Sequence, residues 1–64
     1  MIDGFVLQRL TDHKFVAQNG AERSYTSKLQ EAKWFRYRIH AERERCTENE
    51  AVIPLSRFFH SGGK

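Results

Sequence analysis

Cys46 is the only cysteine in this chain of 64 residues, and that sets the terms on which it folds. No disulfide can staple it, and no zinc-finger spacing is present. A domain of this size buries only roughly 60% of its unfolded surface, so its core must be compact or completed by self-association. The core candidates are Phe5, Leu7, Phe15, Leu29, Trp34, Phe35, Ile39, Val52, Ile53, Leu55 and Phe58. An unpaired cysteine fits a reducing compartment. The N-terminus carries Asp3 and shows neither the basic n-region nor the apolar h-region of a signal peptide. No apolar run approaches the ~20 residues that cross a bilayer. The expected setting is cytoplasmic, with no membrane partner.

The chain divides into one expected domain, residues 1–60, and a Ser-Gly-Gly-Lys tail, residues 61–64. Gly4 to Leu10 alternates as a strand, with Phe5, Leu7 and Arg9 on one face and Val6, Gln8 and Leu10 on the other. Thr11-Asp12-His13 is a polar break of hairpin length, and Lys14 to Gln18 is a second strand. Asn19-Gly20 is the strongest turn signal, because both residues accept positive φ. Arg23 to Thr26 then forms a short third strand. Ala51 to Leu55 reads as a last strand, and Pro54, which cannot donate to a ladder, places it at an edge or ends it there. Arg57 to His60 adds a turn or extension. The predicted class is α+β: a small antiparallel sheet of three or four strands in ββ(β)αβ order, with one main helix on one face.

Between these strands lies the densest signal, Ser24 to Cys46, with four aromatics and six Lys/Arg. No Gly or Pro occurs from Ala21 to Ile53. Ser27 with Gln30 resembles a capping box. Leu29, Ala32, Phe35, Ile39 and Cys46 recur at helical spacing. That pattern fits one long helix from Ser27 to about Thr47. It equally fits a single turn at Leu29 to Ala32, an extended Trp34-Phe35 and a shorter helix from about Tyr37. Arg38–Glu42 at four-residue spacing points to a solvated outer face.

Chemistry-bearing motifs are sparse. His13, His40 and His60 are scattered, and His40 and Cys46, six apart, share no helical face, so no metal site is expected. Cys46 lies between arginines but has no partner for nucleophilic work, and a small buried residue is the expected role. The hydroxyls of Ser24, Tyr25, Thr26 and Ser27 suit turn and cap chemistry. No Gly-rich phosphate loop or paired catalytic carboxylates are present, so neither catalysis nor a cofactor is expected. What remains is the basic and aromatic surface of Lys33, Arg36, Tyr37, Arg38, Arg43 and Arg45, the candidate partner-binding residues. Arg36 and Arg43 are seven apart, as are Arg38 and Arg45, so each pair would share a helix face. Arginines grip phosphates or carboxylates, and exposed rings stack on bases. Trp34 and Phe35 serve either as core or as contact rings. The net charge is only +3, and Glu42 and Glu44 interrupt the patch, which argues against a pure phosphate tracker.

The strands GFVLQRL and KFVAQNG, the segment SYTSKLQEAKWF, a helix around Ala41 and a closing ENEAVIPL together resemble small proteins of tailed bacteriophages and prophages. The matching positions are Phe15, Thr26, Leu29, Ala32, Phe35, Ala41 and Val52-Ile53. The resemblance covers the chain to about Leu55 and implies a ββ(β)αβ fold with a broken helix. It carries no catalytic residue. The sequence departs from the pattern where Arg36, Arg38, Arg43 and Arg45 replace expected acidic residues. A phage origin implies the cytoplasm of a bacterial host. It also implies an anti-defence, anti-CRISPR-like role, in which the chain binds a host protein or ribonucleoprotein complex and inhibits it by steric occlusion. The alternative is a small basic nucleic-acid-binding protein using the same residues. A third reading is a structural or oligomerising piece, with a homodimer left open.

Overall fold

A computed structural model describes residues 3–59. The tail 61–64 and His60, the end of the expected turn or extension, lie outside the described residues, while Arg57 to Phe59 close the second 3-10 turn. In chain order the elements are β1 (Phe5–Arg9), β2 (Phe15–Val16), β3 (Tyr25–Thr26), a 3-10 turn at Leu29–Glu31, α1 (Arg38–Glu44), β4 (Glu50–Pro54) and a second 3-10 turn at Leu55–Arg57. The strands form one antiparallel sheet in the order β3-β2-β1-β4. This is the predicted α+β class. Pro54 sits on an edge strand, where its missing N–H costs nothing. Among the described residues, no helix is long and apolar enough to cross a membrane.

Turn chemistry sets the first hairpin. The Asp12 carboxylate accepts the Lys14 N–H at 3.2 Å, and His13 takes a left-handed φ of 63°. Arg9 closes the loop through a 2.6 Å ion pair to Asp12, and its hydrogen bonds hold that carboxyl down to about 2. The Asn19-Gly20 turn also forms, though not as a two-residue hairpin. Only Gly20 has positive φ, at 87°, and Ala21 donates to the Gln18 carbonyl at 3.2 Å. The Ala17 N–H reaches the Ser24 carbonyl at 2.9 Å, so residues 18–23 are all loop.

β1 and β2 pair only at their hairpin end, Gln8 with Phe15. The chain from Glu31 to Phe35 fills the gap where they part. Gln18 donates to the Glu31 carbonyl, Lys33 donates to the Val16 carbonyl, and Phe35 exchanges bonds of 2.7 and 2.8 Å with Phe5. The sheet carries two separate core clusters. Val6, Phe15, Ala32 and Leu55 form one core with Leu29, Ile53 and Phe58. Leu7, Phe35 and Ala41 form the other with Phe5, Val16 and Val52. Strand alternation sorts Val6 from Leu7, and cross-strand Ile53 from Val52, into these two cores.

The long-helix alternative is excluded. α1 has seven residues, with Ala41 alone buried. Leu29 to Ile39 is therefore no helix face, and four expectations fall with it. Ile39 is 59% exposed, because two residues of helix turn it about 200° from Ala41. Trp34 is 50% exposed, because neighbours in an extended chain face opposite ways and Phe35 takes the core. Cys46 lies beyond the helix and is exposed. Arg36 precedes the helix and shares no face with Arg43. The capping box is absent too. Thr26, not Ser27, organises the first 3-10 turn: its hydroxyl accepts the Lys28 N–H and donates to Glu31.

Glu50 is the one buried charged residue described, at 6% exposure. It accepts the Tyr25 hydroxyl at 2.5 Å and the Cys46 N–H at 2.9 Å. Tyr25 belongs to one edge strand and Glu50 to the other, so this bond spans the face of the sheet. Arg9 lies over the Tyr25 ring, 3.8 Å from its centroid. The bond to Glu50, with burial, raises the phenol above its ordinary value of 10.0. A raised phenol contributes stability that is fully present below pH 10.0 and is lost as pH rises through the folded value. The stability gap between wild type and Tyr25→Phe should therefore stay constant from neutral pH to 10.0 and close above it. Urea melts along an alkaline series measure this, and a gap indifferent to pH would show the bond contributes nothing.

Candidate functional site

The surface after Ala32 follows from the broken helix. Trp34, Arg36 and Tyr37 come from the non-helical chain between the Ala32 bridge and α1, on either side of the Phe35 bridge, so they emerge next to one another without helical spacing. Trp34 is anchored: its indole N–H donates to the Leu29 carbonyl at 3.0 Å while half the residue stays exposed. Tyr37 is 54% exposed and stands edge-on to His40, with centroids 5.6 Å apart. The Arg36 guanidinium lies 5.7 Å from the Tyr37 ring. Trp34, Arg36 and Tyr37 line a shallow groove with Asp3, Gly4 and Phe5. Fixed rings lose little side-chain entropy on binding, which favours them as contact residues.

The remaining basic candidates divide by their partners. Lys33 is half-buried and pairs with Glu44 at 2.7 Å. Arg38 pairs with Glu42 at 3.4 Å and lies 5.9 Å from the Phe5 ring. Arg45 also reaches Glu42, at 3.0 Å, and donates to the Thr47 and Glu50 carbonyls at 3.4 and 2.7 Å. Arg45 is thus a brace between the end of α1 and the start of β4. Arg36 and Arg43 have no carboxylate within ion-pair reach among the described residues. Of the six sequence candidates, Arg36 and Tyr37 meet in one groove, while Lys33, Arg38 and Arg45 are engaged within the fold and Arg43 stands apart on the helix.

Trp34 is an exposed ring that sequence reasoning placed among the core candidates. The available signal was the adjacent pair Trp34-Phe35: in extended chain only one of two neighbours can face a given core. Among the described residues no three His, Cys, Asp or Glu side chains gather as a metal-ligand set. His13 occupies the hairpin turn, and His40 packs on Tyr37.

Comparison with protein-family models, with curated proteins and with solved structures finds no match to this chain.

Proposed function

We propose that this chain is a small protein-binding module whose contact surface is the groove of Trp34, Arg36 and Tyr37. The observation that carries this is the anchored, half-exposed indole beside an exposed tyrosine and an arginine without a carboxylate. Trp, Tyr and Arg are the residue types that most often dominate protein–protein contacts. Pairing of Lys33 with Glu44, and of Arg38 and Arg45 with the one carboxylate of Glu42, removes part of the free positive charge and further favours a protein over a polyanion. The likeness to phage proteins supplies the setting: an inhibitor of a host factor, of the anti-CRISPR kind, that acts by covering its target's working surface. The test is capture from bacterial lysate with and without nuclease, using wild type, Tyr37→Ala and Arg38→Ala. The expected result is a nuclease-resistant protein partner. Tyr37→Ala should weaken it by more than ~2 kcal/mol, and Arg38→Ala should change it little, because Arg38 is held by Glu42. Equal losses at both positions would count against this site.

A second reading rests on Arg36 and Arg43, which have no carboxylate partner among the described residues, and on the exposed rings of Trp34 and Tyr37 near Arg36, which are suited to stacking on bases. It requires salt-steep binding of DNA or RNA, with each arginine lost flattening the log–log salt slope by ~1 unit.

A further inference from the structure

The groove at Trp34 is one end of a longer track. Trp34 also lines a second groove, with Gln18, Asn19 and Gln30. Gln18 in turn lines a third, along the β2–β3 connection, which carries Lys14, Arg23 and Lys28. These three cations are exposed, and none has a carboxylate within ion-pair distance among the described residues. The track therefore changes character along its length, from cationic, through the amides of Gln18, Asn19 and Gln30 beside the Glu44-paired Lys33, to aromatic with Arg36 at its side. Carboxylates punctuate it: Glu22 and Glu31 line the cationic groove, and Asp3 lines the aromatic one. A phosphate backbone carries a charge at every nucleotide and would meet all three. A peptide varies its side chains one by one and need not. Tyr25 and Thr26 of the edge strand β3 also line the cationic groove, and an edge strand offers a peptide main-chain partners that a nucleic acid cannot use.

We propose that this track holds one extended peptide segment of the protein partner, acidic where it meets Lys14, Arg23 and Lys28 and apolar where it meets Trp34 and Tyr37. This rests on the protein-binding reading above. The longest extent of the molecule is 34 Å, which bounds the segment at about ten extended residues.

Trp34 is the only tryptophan, so its emission reports occupancy of the aromatic end. The probe is a synthetic peptide of about ten residues, with acidic residues at one end, a Ser/Asn spacer and Leu-Phe at the other. The expected result is a saturable shift in Trp34 emission. The combined variant Lys14→Glu, Arg23→Glu and Lys28→Glu should weaken it by ~tenfold or more with an unchanged far-UV spectrum. A peptide of the same composition with its acidic residues moved to the centre should bind more weakly. Failure of the first peptide to shift the emission overturns the proposal, as does indifference to the charge reversals. Tighter, salt-steep binding of oligo-dT than of the peptide also overturns it and favours a nucleic acid. The captured partner separates the two levels. Loss on Tyr37→Ala with indifference to the charge reversals leaves the protein-binding reading standing and removes the track. Indifference to both removes both.

Discussion

Phe35→Ala should leave little cooperatively folded protein. Phe35 is only 6% exposed, and its ring joins Leu7 and Ala41 in one of the two cores. Its main chain is equally committed, bonded in both directions to Phe5. Deleting a buried Phe ring costs ~3–5 kcal/mol, from lost transfer energy and the cavity left behind. At ~0.05–0.15 kcal/mol per residue, a domain of 64 residues has about 3–10 kcal/mol in all. A loss of that size erases the lowest part of that range, up to about 5 kcal/mol, and cuts deeply into the rest. Ile39→Ala is the control. Ile39 sits 59% exposed on α1, so its truncation should cost under ~1 kcal/mol despite the aliphatic side chain. Thermal melts followed by circular dichroism read both. A well-folded Phe35→Ala with a small loss would mean that the ring serves a partner rather than the core.

The contrast between Phe35 and Ile39 marks where the sequence was readable. Strands could be read because period-two alternation has a single geometric meaning: Val6 and Leu7 part to opposite faces whatever the sheet order. The hairpin breaks could be read because Asp12, His13 and Gly20 have local reasons to be where they are. The long middle segment could not, because Leu29, Ala32, Phe35 and Ile39 fit a helix face as well as they fit a turn followed by extended chain. The choice is made by something non-local. β1 and β2 splay, and Glu31 to Phe35 supplies the backbone bonds that close the gap. No spacing rule within the segment records that need. Ala41 is the buried helix residue.

The same break explains how much of the candidate site was visible. Arg36 and Tyr37 were singled out for their chemistry, and the structure places them in one groove. Trp34 was assigned to the core because large rings are mostly buried, a tendency that gives way when Phe35 next to it occupies the interior. The helix carries Arg43 but brings Arg38 to Glu42, which Arg45 just past the helix end also reaches, so charge counting overstates the free cationic surface. The Tyr25–Glu50 bond had no sequence signal, since its partners lie 25 residues apart on opposite edges of the sheet.

Gly4→Ala should be nearly as destructive as Phe35→Ala, although it removes nothing. Gly4 has φ +133°, a conformation that L side chains rarely adopt, and forcing one there costs ~1–3 kcal/mol. Space is as restrictive as angle. A methyl on Gly4 would stand 2.9 Å from Leu55 Cδ1 and 3.0 Å from the Phe35 carbonyl oxygen. Leu55 is fully buried, and the Phe35 oxygen already accepts the Phe5 N–H at 2.7 Å, so neither neighbour moves freely. The Gly4 carbonyl itself accepts the Leu55 N–H at 2.9 Å, which fixes the approach from the other side. Overpacking of this kind adds another ~1–3 kcal/mol. Gly20→Ala isolates the steric part, because Gly20 also has positive φ, at +87°, but nothing lies within 4 Å of its added methyl. The expected order of melting temperature is wild type, then Gly20→Ala, then Gly4→Ala well below both. Equal losses for the two variants would show that backbone strain alone matters and that the convergence of β1, Phe35 and Leu55 on Gly4 is slack. Because Gly4 lines the groove of Trp34 and Tyr37, a tight convergence there is also what would hold the proposed contact residues in place.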